Sequence, residues 1–465
     1  QVFQYIQVSQ HDLISISKTF CSNLVKSDKL LVARSGLKQS SLLVVLTAGL
    51  LVSGLARGGE KDLLLEEAPP PAGFPAQPLW RDWSRPFYQN DDHPIIQSLQ
   101  IGGRLNYQWA RVQGEDVAGE SFSESYHELR RLWLGEKVAF LNHFQAGGKV
   151  IFASDERSQG RKVDLAYQKW FDLYLAADLK SLLDLEGVDR LRFRYGRIKH
   201  NMSYTGRQSQ RFNKSVERTA LSNQLFYPFA AMSATLDIDH GKWSHQLSLY
   251  GTANGGASFG SLNEAEWGNW DEGLAVYWWN RYDYRDVLGL EKAYLHLEGA
   301  YNFAGEGDSS WMGYRWAGTL STYIEDARWS LLLEAALGEN GDESIGLRDP
   351  KRQGLFWGGQ VEATYWLLPP RLEGVLQYSW MAAEEGEGIR LDRRYLGFPA
   401  RTDSGEAVRL NGRYGSNHHS LYLGLNYYLP DDRQKVMLGA EWETLTTDQG
   451  GAEATTLWVA YRMYF

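Results

Sequence analysis

Positively charged side chains recur between positions 189 and 226, and their spacing would allow them to bind anions in succession and conduct them. Arg190, Arg192 and Arg194 occupy alternate positions, and apolar or aromatic residues separate them. Successive side chains of a strand point to opposite faces, so this alternation predicts a strand with one lipid-like face and one charged face. Residues two apart on a strand are separated by about 6.6 Å, which would make the three arginines successive stepping sites for an anion. Arginine stays protonated and can bind oxyanions through two parallel N–H groups.

The polar segment that follows, residues 201–223, is itself basic. Its four cations recur every three or four residues against one acid, Glu217. We expect this segment to be a loop folded into a pore, and its cations would share one face if it is helical. Rows of fixed positive charge compensate a permeating anion for its lost hydration. Together with two arginines on the inferred lumen side of the first two strands, the candidate anion-binding residues are Arg104, Arg131, Arg190, Arg192, Arg194, Arg207, Arg211, Lys214 and Arg218.

A second interpretation of these arginines stays open. They could pair with acids on the opposite wall and only stiffen the protein. The excess of positive charge between positions 190 and 218 favours ion selectivity instead. The sequence therefore predicts that replacing Arg211 and Arg218 together by glutamate reduces or reverses a preference for anions.

Composition indicates a membrane protein built from strands. Aromatic residues make up 13% of the 465 residues, with 18 Trp, 26 Tyr and 47 Gly, while the mean hydropathy is −0.42. A helical membrane protein would be far more apolar, whereas a barrel wall alternates between lipid-facing and water-facing residues. The formal net charge is −9, so the composition gives no reason to expect a nucleic-acid partner.

The strongest apolar run, residues 42–55, is typical of a secretory signal. It follows Arg34 and Lys38 and ends before Ala56, with small residues at the cleavage positions. The run is too short for a spanning helix, and a buried core helix is the alternative. The one cysteine, Cys21, precedes it, so a mature chain would have no disulfide. The predicted domains are an upstream segment with a signal peptide at 1–56, a Pro-rich periplasmic linker at 57–94 and a barrel at 95–465.

Sixteen alternating segments follow the linker, and each is about long enough for a tilted bilayer span. Connectors after odd segments are mostly long and those after even segments mostly short, which is typical of a bacterial outer-membrane barrel with both ends in the periplasm. In lipid such a sheet must close to satisfy its backbone. The fold class predicted is therefore all-β, a transmembrane antiparallel β-barrel of about 16 strands with a third loop folded into the pore. The predicted strands are 96–112, 126–141, 144–153, 164–175, 189–199, 229–238, 243–253, 274–284, 292–303, 315–325, 328–338, 356–368, 371–381, 419–429, 435–445 and 455–465.

The last predicted strand ends on an aromatic residue, Phe465, with apolar residues at every second position before it. This pattern resembles the recognition segment that the bacterial outer-membrane insertion machinery reads. A soluble sandwich that ends in an ordinary strand is the alternative. The aromatic residues near so many strand ends favour the membrane interpretation.

The chain resembles the phosphate-selective porin O and P family. The residues that carry the resemblance are 128–135, 191–199, 216–218 and 223–228, and the layout of residues 95–465 agrees more broadly. The resemblance implies a 16-stranded barrel that assembles as a homotrimer, with the third loop folded inward. Two departures are His200 to Ser203, in place of the usual Pro-Phe-Gly, and an inward loop that carries mostly arginine instead of a lysine cluster.

Signals for other functions are weak. Residues 256–260 match a nucleophile-elbow pattern, but that motif needs a strand–turn–helix context. His418 and His419 are adjacent, so on a strand they would point to opposite faces and could not share a metal. Acidic residues at 384, 385 and 387 could bind divalent cations or lipopolysaccharide, or simply be solvated. Trp133 and Trp458 on the lumen side would suit a sugar track.

The sequence thus predicts a non-enzymatic outer-membrane porin, without a metal or cofactor, for passive diffusion of small anions, with phosphate among the candidate solutes. A general or oligosaccharide diffusion porin and a structural or adhesive barrel are the alternatives. The partners expected are small anions, outer-membrane lipid and lipopolysaccharide, the insertion machinery and further copies of the chain in a trimer. Nucleic acid is not expected.

Overall fold

A computed structural model describes residues 86–158, 167, 169–225, 230–251, 270, 273–303, 312–341, 351–391, 394, 396, 401–429 and 433–465. The predicted signal peptide, Cys21 and most of the predicted linker lie outside these residues, as does the nucleophile-elbow pattern at 256–260. From the linker, residues 86–94 are described, and Tyr88–Gln89 pairs with Ser98 and Leu99 of the first strand of the barrel.

The fold is a closed antiparallel barrel of sixteen strands, as the alternation predicted. Each strand pairs with its neighbours in the sequence, and the last pairs with the first. The strands are β1 Ile96–Glu115, β2 Ser121–Phe140, β3 Phe144–Ser158, β4 Lys169–Asp178, β5 Arg190–Lys199, β6 Ala230–His240, β7 Trp243–Gly251, β8 Leu274–Asp283, β9 Lys292–Asn302, β10 Trp316–Asp326, β11 Trp329–Glu339, β12 Leu355–Leu368, β13 Leu372–Ala383, β14 Asn417–Tyr428, β15 Gln434–Thr447 and β16 Gly450–Tyr464.

Within the described ranges, helical structure is confined to short turns in the connections. The α-helices are α1 Leu179–Leu182, α2 Tyr204–Arg207, α3 Ala220–Leu225 and α4 Arg285–Leu288, and the 3₁₀ turns are Gln210–Phe212 and Asn411–Arg413. Among the described residues, none of the helices has the length and apolar character needed to cross a membrane. A separate two-stranded ribbon joins Ile389–Arg390 to Tyr414–Gly415.

Alternation along the strands gives the barrel an apolar outer face. On β14, Leu421, Leu423 and Leu425 are exposed on the outside, whereas Tyr422 and Asn426 on the other parity are buried. Because neighbouring strands are hydrogen-bonded along most of their length and the outer side chains are apolar, this wall is suited to hydrocarbon. The chain is therefore an integral β-barrel of the bacterial outer membrane. Other exposed apolar residues of this face are Leu175, Phe193, Leu249, Leu297, Leu320, Leu376, Leu438, Leu457 and Val459.

Two predicted loops are largely strand. Residues 113–125 and 446–454 were expected to be long connections, but β1, β2, β15 and β16 continue through most of them. The outward side chains of these extensions are polar. The alternation of apolar and polar residues therefore ends before the hydrogen-bonded pairing of the strands does. Inward residues such as Val112, Phe122 and Tyr126 are buried there and support the extension. At the opposite end, the two longer turns contain α1 and α4.

The ladder that closes the barrel joins β16 to β1 from Glu453 to Tyr464, and Phe465 extends it. The Phe465 N–H donates to the Gly103 carbonyl at 3.1 Å, and the Gly103 N–H donates back to Phe465 at 2.6 Å. A Cβ at Gly103 would lie 2.6 Å from the backbone carbonyl oxygen of Trp133 and 2.6 Å from the Phe465 ring, so the close pairing at this corner requires glycine.

We expect Gly439→Val to destabilise the barrel by about 2 kcal/mol, because overpacked interiors lose that order of stability. The Tyr422 ring is 1% exposed and lies against Gly439 and Gly424, where an added Cβ would overlap the ring. Urea unfolding in detergent measures the change. Gly374→Ala is the matched control, since its Cβ would meet nothing closer than 3.7 Å. Equal stability of the two variants would contradict the prediction.

Candidate pore and its constriction

The connection between β5 and β6 folds into the barrel. Residues 200–225, called loop A below, contact inward side chains of strands far away in the sequence. The Tyr204 N–H and the Ser203 hydroxyl donate to the Glu334 carboxylate of β11 at 2.9 and 3.1 Å. The Thr219 hydroxyl donates to Gln360 of β12 at 2.5 Å. Loop A therefore lies across the lumen, as the sequence predicted for the third loop.

Apolar burial explains why a polar loop stays inside. Met202, Leu221 and Leu225 are each 0% exposed and belong to one cluster with inward residues of the wall. The Tyr314 hydroxyl donates to the Leu225 carbonyl at 3.1 Å, which satisfies part of the end of α3. Loop A is thus fixed to the wall by packing as well as by hydrogen bonds.

Arg207 fixes the first turn of loop A to the wall of β7 and β8. Its guanidinium lies 3.9 Å from the centre of the Trp279 ring and donates to Gln246 at 3.0 Å and to the Tyr277 hydroxyl. Stacking of a guanidinium on an indole is favourable, especially away from water. Arg207 therefore has a structural role in addition to its charge.

Lys214 lies near the end of the barrel that carries the short turns. Its ammonium is 2.6 Å from Glu373 of β13, and Asn426 of β14 donates to its carbonyl at 2.8 Å. The Lys435 ammonium of β15 donates to the Asn213 carbonyl at 2.5 Å. The middle of loop A is thus attached to the β13–β15 wall.

Glu217 attaches loop A to β1 and β2. Its carboxylate is 2.9 Å from Arg130 and accepts from Gln108 at 3.0 Å. Burial alone would raise the pKa of Glu217, but Arg130, Arg394 and Arg131 outweigh it and hold that pKa well below the usual value. Glu217 is therefore a carboxylate at neutral pH and holds the loop by charge-assisted hydrogen bonds.

The arginine row of β5 faces the lumen, but each member is paired with an acid of the neighbouring strand β6. Arg192 and Arg194 share the Asp237 carboxylate at 3.0 and 2.8 Å. Arg190 is 2.9 Å from Asp239 at the rim. The acids come from the adjacent strand, directly across the ladder, and not from the opposite wall.

Arg104 and Arg131 meet at one indole of the lumen wall. Their guanidinium carbons lie 4.5 and 5.9 Å from the centre of the Trp133 ring, and the Lys149 ammonium lies 5.7 Å from it. Lys149 is also 2.5 Å from Asp172. Trp133 thereby holds three cations of β1, β2 and β3 within one small region of the wall.

The connection between β13 and β14 is a second inward element that the sequence reasoning missed. Loop B is the described part of this connection, residues 384–391, 394, 396 and 401–416. It places Arg394 in contact with Glu128 of β2, and the Arg394 side chain is 5% exposed. The Leu396 N–H donates to Glu443 of β15 at 2.8 Å. The available signal was apolar residues such as Leu391, which the structure buries, in a connection of which the sequence reasoning considered only the acidic run at 384–387.

Several sequence predictions about side chains need correction. The four cations of loop A do not share a helical face, because the loop contains two separate short helices and a 3₁₀ turn. Arg218 is 8% exposed and donates to the carbonyls of Thr205 and Gln208 at 2.8 and 3.4 Å, so it stabilises the loop from within. Its replacement by glutamate would disturb the loop's fold as well as its charge.

The lumen tryptophans do not form an open sugar track. Trp458 is 2% exposed and packs edge-on against Tyr126, while the Trp133 ring is 9% exposed and covered by cations. His418 is buried beside Glu443 at 3.2 Å, whereas His419 bonds Tyr378 on the outer face. The two histidines therefore point to opposite faces, and the described part of the chain contains no group of three or more His, Cys, Asp or Glu residues that could hold a metal.

Comparison with known proteins agrees with this architecture at the level of the fold. No protein-family model matches the sequence, and no curated protein sequence matches it. Among solved structures, the outer membrane channel DcaP of Acinetobacter baumannii is similar with a TM-score of 0.50 and 14% identity over 81% of this chain and 99% of that chain. OprB of Pseudomonas putida is similar with a TM-score of 0.51 and 11% identity over 78% of this chain and 94% of that chain.

These likenesses and the geometry define the class of protein. The chain has the fold of a bacterial outer-membrane porin, with sixteen strands around a lumen that loop A narrows.

Proposed function

We propose that the chain is a channel for passive diffusion of small anions across the outer membrane. Its selectivity comes from the basic lumen wall of β1 to β5 together with loop A. The candidate residues that are at least partly exposed are Arg104, Arg190, Arg192, Arg194, Arg207, Arg211 and Lys214. Arg131 and Arg218 are buried and contribute their charge from within the wall and the loop.

The relative exposure of the two partners in the lumen ion pairs carries the proposal. The side chain of Arg192 is 29% exposed and that of Arg194 is 13% exposed, against 7% for Asp237. Lys214 is 19% exposed and Glu373 is 1% exposed. Because the Asp237 and Glu373 carboxylates are more buried than their cations, a solute passing these pairs meets guanidinium and ammonium groups first.

The charge balance of the β5 row supports the same reading. Two arginines share one Asp237 carboxylate, so one positive charge remains uncompensated within that group. A unit charge about 8 Å from a permeating ion at an effective dielectric constant of about 40 contributes about 1 kcal/mol. That amount favours an anion several-fold and is small enough for the ion to leave again, as conduction requires.

Phosphate belongs among the candidate solutes because arginine binds oxyanions in a bidentate manner. The resemblance of residues 128–135 and 191–199 to phosphate-selective porins points the same way. The proposal includes a homotrimer in the outer membrane, contact of the outer face with lipid and lipopolysaccharide, and recognition of the strand ending at Phe465 by the insertion machinery.

Reversal potentials in planar bilayers under a potassium chloride gradient test the proposal. We expect a preference for chloride over potassium, and conductance in phosphate solution shows whether oxyanions pass. A zero or cation-selective reversal potential would refute anion selectivity. A structural or adhesive barrel would carry little current of any kind, and a general diffusion pore would conduct sugars and both ions.

A further inference from the structure

We propose that Arg394 is the positioning residue that keeps loop B inside the barrel and thereby sets how wide the pore is. This inference rests on the proposed channel function, because pore width has meaning only if the lumen conducts. The geometry shows one guanidinium from loop B joined to a carboxylate of the wall and a carboxylate of loop A.

Arg394 bridges two acids that belong to different elements. Its guanidinium donates to the Glu128 carboxylate of β2, and its Nε lies 3.4 Å from the Glu217 carboxylate of loop A. The side chains of Arg394, Glu128 and Glu217 are 5%, 0% and 9% exposed. Ion pairs this buried lose far more when one partner is removed than surface pairs do.

The two acids are also joined to each other through the wall. Gln108 of β1 donates to Glu128 at 2.9 Å and to Glu217 at 3.0 Å, and Arg462 of β16 donates to the Gln108 side-chain oxygen at 2.6 Å. Arg394 therefore enters a network that already connects loop A to β1, β2 and β16. Its removal detaches loop B from this network without removing the contacts of loop A with Arg130.

Other contacts show that loop B extends over one side of the barrel mouth. The Asp403 N–H donates to the Ser121 carbonyl of β2 at 2.8 Å, and the Arg409 N–H donates to the Asp116 carboxylate at 2.7 Å. The Val117 N–H donates back to the Arg409 carbonyl at 3.1 Å. These bonds fix the far end of loop B to the β1–β2 turn. Arg394 fixes its middle through side-chain ion pairs, beside the backbone bond from Leu396 to Glu443.

Two measurements on Arg394→Met test the proposal, and Arg401→Met is the matched control. Arg401 belongs to the same loop, is exposed, and donates to the Gly405 carbonyl within the loop. We expect Arg394→Met to raise single-channel conductance and to admit larger neutral polymers into the pore. Arg401→Met should behave as the parent protein does.

The second measurement reports the position of loop B directly. In a Cys21→Ser background the chain has no cysteine, so Leu396→Cys introduces one thiol at a site that is 0% exposed. A membrane-impermeant maleimide should label it at least about tenfold more slowly than Ser404→Cys, because labelling requires local opening. Adding Arg394→Met should make the labelling rates of the Leu396 and Ser404 cysteine variants similar. Arg394→Lys should keep only part of the protection of position 396 from labelling, since lysine lacks the planar guanidinium that can bind two carboxylates at once.

The outcomes separate this proposal from the proposed function. Unchanged conductance, polymer cut-off and labelling in Arg394→Met would overturn the role of Arg394 even if the channel is anion-selective. If Arg394→Met increases conductance, polymer cut-off and labelling in a channel that has no anion preference, the role of Arg394 stands and the proposed selectivity is refuted. If Arg394→Met does not assemble, Glu128→Gln removes the other half of the same contact and should also raise conductance and labelling.

Discussion

Replacing Arg192 and Arg194 together by glutamine is expected to lower the permeability of chloride relative to potassium by at least about thirtyfold, since each of the two lost lumen charges contributes about 1 kcal/mol to the binding of chloride. The variant leaves Asp237 without the two arginine partners that now cover it. The local charge therefore changes from positive to negative. Reversal potentials in a potassium chloride gradient measure the change.

The control removes two cations away from the lumen. Lys242 and Arg285 lie in the β6–β7 and β8–β9 turns, where both side chains are about half exposed. Replacing both with glutamine should leave the reversal potential nearly unchanged at physiological salt, because exposed charges beyond about 8 Å are screened. A shift of equal size in both double variants would show that total charge, not the β5 row, determines selectivity.

Replacing Glu217 by glutamine is expected to destabilise the protein by about 3 kcal/mol, the usual order for breaking a buried ion pair from one side. The variant leaves Arg130 without its carboxylate partner and weakens the contact of Arg394. Loop A should then move more freely, which would appear as noisier open-channel current. Urea unfolding of the detergent-solubilised protein measures the stability.

Lowering the pH should weaken the ion pairs of Glu217 only when the pH falls below the usual pKa of a glutamate. The folded-state pKa of Glu217 is depressed well below its usual value of 4.5. A depressed carboxylate pKa contributes stability that is present above the unfolded-state pKa and is lost as the pH falls through the folded-state pKa. The stability difference between the native protein and Glu217→Gln should thus stay constant from pH 7 to about 5 and shrink below about 4.5.

Two results would contradict this account of Glu217. A stability difference that disappears already between pH 7 and 5 would mean that its pKa is not depressed. A variant as stable as the native protein, with equally quiet current, would mean that loop A is held by packing of Met202 and Leu221 without help from the ion pair.

The alternation of side chains determined the fold before any tertiary contact was known. Residues of one parity had to face hydrocarbon and those of the other had to face water, so sixteen segments of sufficient length implied a closed barrel. The same reasoning placed Arg192 and Arg194 on the lumen face. It misplaced the ends of β1, β2, β15 and β16, because their outer ends lie beyond the lipid, where outward side chains no longer need to be apolar.

Only the tertiary structure decided which charges meet. Asp237 lies 43 residues from Arg194, and Glu128 lies 266 residues from Arg394. Strand register and the inward course of loops A and B bring these residues together in space. No local sequence pattern encodes either feature. The sequence by itself therefore specified a barrel with a basic lumen row, whereas long-range contacts decided which cations face the water and which ones hold the loops in place.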